Sequence, residues 1–491
     1  MPAEIPGYYF DPEKNKYFKI EHASTAPRAA AWSADSVKRR RVAAESSAAA
    51  DDRARLLRRH IRRWRQQGQL TGDTITRALL QRELGDKNAD SEADVRAAVW
   101  ASGAVDKGSV SLARGTRSAN MPCMYVNGDD TKTGLGVVYA TLGEERLVGS
   151  YIPTDDNDTI TFSATAPLDS GRSRALHTEF LRFPQLSSIT YHAPSHRIIA
   201  TSRSPNNSVY LFSPHLSEEA DVRRPRWLLG RLPENGYHGL CPNSAGSAVA
   251  HTAAPAPTSS SSRLLCLVGT NVGVLRVNAG VSDHRTLSWV GERVPLKPTP
   301  GAAAADGHPR ETLALDFLHN HPEVFLAGGR RSQLWITDMR APPSSTSHRV
   351  GSGQQRTAVA HLRSVSEHLL LTAGPPSSMA TYDTRFLRSP VVRFDEYRNE
   401  AHVHAGWDVC AELGLVAAAH DDGTVKLFSL GSGRRCRPEA GGGLDGVRTD
   451  APIRALSFRR MPRERLPSLF VGEGAVVRKF SLGVRALGNE A

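Results

Sequence analysis

The chain has 491 residues, 40% of them hydrophobic and 23% charged, with a formal charge of +12; this is an ordinary globular composition with room for one large domain plus tails. Its five cysteines are odd in number, scattered, and never spaced Cys-x-x-Cys, which argues against a disulfide framework and a zinc site and fits a reducing compartment, nucleus or cytoplasm. There is no run of eighteen apolar residues, and the first twenty residues are aromatic and charged, so neither a membrane span nor a signal peptide is expected.

Residues 1–22 read as an aromatic hairpin motif. Tyr8-Tyr9-Phe10 and Tyr17-Phe18 flank Asp11-Pro12-Glu13-Lys14-Asn15, where proline presets φ and the Asp and Asn side chains bond nearby backbone. So many aromatics should cover an apolar surface on this chain or a partner. Residues 23–50, rich in Ala, Ser and Arg, read as a disordered linker; within it Lys38-Arg39-Arg40-Arg41 has the form of a nuclear-import signal. Residues 51–85 read as a basic helical segment with Leu57, Ile61 and Trp64 on one face and Gly68 as a stop. Between Lys38 and Arg65 eleven Lys or Arg meet three acids, a net of +8, so most of the chain's excess charge lies in this one region, where nucleic acid is a conceivable partner. Residues 86–120 read as a second linker.

From residue 121 to 485 the sequence repeats. Strand-like segments end at or near Phe212, Val277, Thr337, Tyr382, Phe428 and Phe480, at intervals of 65, 60, 45, 46 and 52 residues. A period near 40–45, stretched by insertions, marks a WD-repeat β-propeller with one four-stranded blade per unit. Six units are visible and a seventh is inferred at the start, with Met124–Val126, 136–140 and 146–150 as strands and 159–162 as its last part. The fold class is therefore all-β, a propeller of about seven blades. Ala/Pro/Ser-rich stretches at 250–262, 298–307, 342–355 and 431–446 read as insertions between strands.

Catalytic chemistry finds little support. His402, His404 and His420 lie near Asp408 and Asp421, but no helix presents them as metal ligands, and they read as parts of a structural network. Gly441-Gly442-Gly443 lacks the Lys and Ser/Thr of a phosphate loop. No catalytic residue, metal or cofactor is implied, and the chain reads as a binding platform.

Two neighbouring units end in the same phrase, Ile336-Thr337-Asp338-Met339-Arg340 and Thr381-Tyr382-Asp383-Thr384-Arg385. These tails resemble the W-D-x-R boxes of WD-repeat substrate receptors of cullin-4 RING ubiquitin ligases, and residues 6–20 resemble the opening of members of that family, so the chain looks like a divergent, fungal-like relative. Thr337 and Tyr382 stand where the family has tryptophan, and Arg330-Arg331 and Pro375-Pro376 stand where an Asp is usual in the preceding turn. The resemblance implies that Asp338, Arg340, Asp383 and Arg385 bind the propeller adaptor that links receptor to cullin, with an unidentified protein as substrate. The alternative is a WD-repeat scaffold of a nuclear RNA- or chromatin-associated complex, contacting nucleic acid through the arginine-rich basic helical segment.

Overall fold

The structure, a computed structural model, describes residues 7–11, 14–22, 31–47, 92–112 and 120–483, apart from 128–135, 153, 155–157, 161–177, 183–184, 196, 204–208, 213–237, 241–247, 259–262, 280–284, 291–310, 341–345, 350–356, 438–442, 451 and 462–463. It divides into two compact units, residues 1–89 and 90–491.

In the first unit, Tyr8–Asp11 pairs antiparallel with Lys16–Lys19 around Asn15, whose φ is +49°. The expected hairpin is there, and residues 34–47 are helical where a linker was expected. Ser33 caps that helix, its Oγ accepting from the Ser36 N–H at 3.2 Å. Phe18 stacks on Trp32 at 4.7 Å between centroids, and Arg40 donates to the Tyr9 hydroxyl and lies over its ring. These contacts hold helix to hairpin and give part of the aromatic surface a cover within the unit. The basic helical segment at 51–85, with Leu57, Ile61 and Trp64, lies outside the described residues.

The second unit is a seven-bladed β-propeller of seven four-stranded antiparallel sheets. Blade 4 serves as the pattern: Ala314–Leu318 is innermost, followed outward by His321–Gly328, Gln333–Asp338 and Thr346–Arg349. Phe212, Val277, Thr337, Tyr382, Phe428 and Phe480 all fall on third strands, each in a different sheet and all buried, as the repeat register requires. Second strands such as Leu264–Thr270 and Leu415–Ala419 are buried along their whole length, because both faces of a central strand meet a neighbouring blade. Among the described residues each seam between consecutive blades holds an apolar cluster. At about 1.5–3 kcal/mol per buried large side chain, these seams are the main cohesive force of the ring.

The ring closes through residues 92–111, within the stretch 86–120 where a linker was expected. The helix Glu92–Ser102 buries Trp100 edge-on against Phe458 at 5.8 Å. The strand Ala104–Ser111 then pairs with Val476–Leu482 and becomes the outer strand of the last blade. A bulge falls between Asp106 and Ser109, where Gly108 takes φ +92° and Asp106 accepts from the Gly108 N–H and from Arg478. Further expectations are corrected. The outer strand of blade 1 is Thr178–Arg182, not 159–162. Three stretches taken as insertions carry strands: Ala250–Pro255 is the innermost strand of blade 3, its small side chains suiting the crowded axis, and Thr346–Arg349 and Arg435–Cys436 are the outer strands of blades 4 and 6.

Candidate functional site

Successive strands in a blade run in opposite directions, so the C-terminal ends of all first and third strands emerge on one face of the ring. Asp338 ends the third strand of blade 4 and Asp383 that of blade 5. Arg340 and Arg385 therefore rise from the same face of adjacent blades. Their local geometry is the same. The Arg340 N–H donates to Asp338 Oδ1 at 2.9 Å, while its guanidinium grips both carboxylate oxygens at 3.0 and 2.7 Å. In the next blade the Arg385 N–H and guanidinium make the same bonds to Asp383 at 2.9, 2.9 and 2.7 Å. The turn below each is also shared: the Met339 N–H donates to the Glu323 carbonyl and the Thr384 N–H to the His368 carbonyl.

Each Asp thus closes a local turn and clamps the arginine side-on. A guanidinium offers five N–H donors in a fixed plane; the carboxylate takes about two and leaves the outer edge free. The side chains of Arg340 and Arg385 remain 68% and 60% exposed. The hydrogen bonds from the paired arginine hold both carboxyls down to about 2, so both boxes stay ionised across the physiological range. Phe386, beside Arg385, is 71% exposed, so an aromatic ring and two oriented cations share this face, the residue types enriched where interfaces concentrate their binding energy.

Two features fix the spacing of the boxes. Asp316 of blade 4 accepts from the Ser364 N–H of blade 5 at 2.8 Å, and Ser364 Oγ accepts from the His319 N–H at 2.9 Å. Asp408 repeats the device two blades on, accepting from the Phe458 N–H at 2.7 Å and pairing with Arg363 at 3.3 Å. In blade 6 the position of Asp383 is taken by Ser429, which pairs with the first residue of its second strand as Asp383 does. Ser429 is buried and donates to Asp94 of the Glu92–Ser102 helix, which covers this face at blade 6, while at blades 4 and 5 the box arginines stand exposed.

The other sequence candidates fall elsewhere. Lys38, Arg39, Arg40 and Arg41 sit exposed on the 34–47 helix of the first unit, Arg41 pairing with Glu45 at 3.4 Å. His420 packs between Tyr397 and Phe428, and burial pulls its imidazole down to about 4. In its turn Gly423 lies so near Thr449 that a Cβ would meet the Thr449 carbonyl oxygen at 1.8 Å, which explains the Asp-Gly pair. His402 lies 3.7 Å from Asp421. His404 is not part of this network; it faces Arg203 across the ring. The exposed Phe386 and the inner Asp316 to Ser364 link were missed in the sequence, although an aromatic directly after the second box was there to be noticed. Scanned against protein-family models and curated proteins, the chain matches no family and no curated protein. Among the described residues no helix is long and apolar enough to cross a membrane.

Proposed function

We propose that this protein is a WD-repeat substrate receptor of a cullin-4 RING ubiquitin ligase, an interaction platform that presents a protein substrate for ubiquitination and works in the nucleus, the cytoplasm or both. The observation that carries the reading is the pair of identical Asp-x-Arg clamps on adjacent blades, each leaving an oriented guanidinium exposed. A lone clamp could be a turn device. Two in register, with Phe386 beside them, fit a partner that reads their spacing, and a propeller adaptor is that kind of partner. Asp338 and Asp383 act as positioning residues, and Arg340 and Arg385 make the contact.

The second reading, a scaffold in a nuclear RNA- or chromatin-associated complex, draws on the exposed basic turn at Lys38 to Arg41, which serves equally as an import signal. Affinity purification of the full chain separates the two. Recovery of the adaptor and cullin supports the receptor; recovery of partners that vanish on nuclease treatment supports the scaffold.

A further inference from the structure

The face opposite the boxes carries a second concentration of chemistry that the receptor role does not use. It lies where first strands begin and second strands end. Arg203 follows the second strand of blade 2, His251 and His361 sit at the starts of the innermost strands of blades 3 and 5, and His404 and Arg454 precede those of blades 6 and 7. Arg203 and His404 are in hydrogen-bond contact. Blades 2 and 6 are not neighbours on the ring, so this contact spans the central channel and the group gathers at its mouth.

The charges there do not balance. Arg454 has a carboxylate, Glu144, at 3.4 Å, and Arg330 is held by Glu311 at 2.5 Å. Arg203 has the His404 Nε2 instead, and a nitrogen that accepts from a guanidinium is a neutral imidazole. Several buried nitrogens, Arg203 Nε, Arg454 Nε, both ring nitrogens of His251 and His361 Nε2, have no hydrogen-bond partner among the described residues. A buried donor without an acceptor, and a buried cation without a counter-charge, are costly. Five basic side chains from five blades, with so many nitrogens unpartnered, form a cradle for an acceptor-rich anion. They are not a metal site, since among the described residues no three His, Cys, Asp or Glu side chains come together as one.

We propose that this channel mouth binds a tetrahedral oxyanion, a phosphate either free or carried as the monoester of a small molecule, between Arg203, Arg454 and the imidazoles of His251, His361 and His404. A dianion supplies acceptors for the N–H groups among these nitrogens, and a second negative charge for Arg203 and Arg454, which share the single carboxylate of Glu144. The site also carries its own pH signature. Burial first, then Arg203, Arg454, His361 and His251, push His404 down to about 3; burial, together with Arg203 and Arg330 and against Glu311, lowers His251; burial alone takes His361 to about 4. The imidazoles are therefore neutral in the free protein. A bound dianion raises their proton affinity, so binding takes up protons and tightens as pH falls.

The test is calorimetric titration of the full chain with sodium sulfate in chloride background at pH 8 and pH 6, because sulfate keeps its charge over this range. Parallel titrations with inorganic phosphate and glycerol phosphate identify the source: a preference for the ester points to a small phosphorylated molecule, a preference for phosphate to the free ion, and either supports the site. Sulfate should bind roughly tenfold more tightly at pH 6 than at pH 8 for each imidazole whose proton affinity the anion lifts to near neutrality. Arg203→Gln should abolish binding yet leave the anion-free protein at least as resistant to heat, since it removes one of two guanidiniums that share the single carboxylate of Glu144. His404→Gln, which keeps a polar partner for Arg203 without a titrating ring, should retain binding and lower the pH dependence by one imidazole's share, leaving that of His251 and His361. Absence of saturable binding of all three anions to the parent protein overturns the proposal, as does binding that Arg203→Gln leaves unchanged.

Discussion

Replacing both Arg340 and Arg385 by Ala is the perturbation that bears most directly on the receptor role. Each arginine is already clamped by its own Asp, through two bonds from the guanidinium and one from its backbone N–H. Little rotamer entropy therefore remains to be lost on docking, and the free edge meets the partner pre-aligned. Truncating a central interface arginine commonly costs a factor of about thirty or more in affinity. Two such sites on neighbouring blades should together weaken binding by roughly a thousandfold, less if they act as a unit. The fold should be indifferent, because both side chains are exposed and their ion pairs are local; a melting shift below about 2 °C is expected. The assay is co-purification of adaptor and cullin at matched expression, followed by titration of purified adaptor onto parent and variant. Equal affinity for the two would refute the role of the boxes, and no affinity for either would refute the receptor reading itself.

Other outcomes follow from the same geometry. With the carboxyls held at about 2, below the ordinary value of 3.8, the clamps are intact above the ordinary range and come apart as pH falls through about 2; adaptor affinity should therefore be flat from pH 5 to 8, and carboxyl NMR titration of Asp338 and Asp383 should show midpoints near 2. In the last blade, fully buried Lys479 pairs with Glu464 and donates to the Asp158 carbonyl at 2.6 Å; Glu464→Gln should destabilise by about 3–5 kcal/mol in denaturant unfolding because it leaves a buried charge unpaired, and a change under about 1 kcal/mol would show that the ammonium finds other partners. A chain beginning at residue 91 should melt cooperatively, whereas one beginning at residue 113 should aggregate, since it loses Trp100 and the six register pairs between Ala104–Ser111 and Val476–Leu482; equal solubility and equal melting would contradict the closure.

What the sequence made legible was local. Third strands such as Val425–Ser429 and Ser378–Asp383 are buried along most of their length and bounded by turn residues, so their apolar runs and spacing speak for themselves. The boxes were equally plain, because Asp and Arg two residues apart make their contact within a single turn. The closing strand was not: Ala-Val-Asp-Lys-Gly-Ser-Val-Ser is interrupted by a bulge and becomes a strand only by pairing with a segment at the far end of the chain. The innermost strand of blade 3 was hidden because Ala, His, Thr and Pro near an axis resemble low-complexity linker. Nor could spacing reveal the basic channel mouth, which draws one residue from each of five blades and exists only once the ring has closed.

The two faces should act independently, and the reason lies in the strands that separate them. Innermost strands of four to six residues rise about 3.3 Å per residue, which puts the two ends roughly 13–20 Å apart. That is beyond the screening length of about 8 Å at physiological ionic strength and beyond the 7–10 Å within which substitutions usually couple. One side chain bridges part of the gap. Arg363 lies two residues beyond His361 on the same strand and so on the same side of the sheet, and it ends in the ion pair with Asp408, whose carboxylate also accepts from the Phe458 N–H of blade 7. If the faces communicate, this is the route. Sulfate affinity should therefore change less than about twofold in the Arg340→Ala, Arg385→Ala double variant, and adaptor affinity should change as little in Arg203→Gln. A larger effect that disappears when Arg363→Met is added to each would show that the channel charges couple the two sites; a larger effect that survives Arg363→Met would mean that the blades themselves shift despite the apolar seams that hold them together.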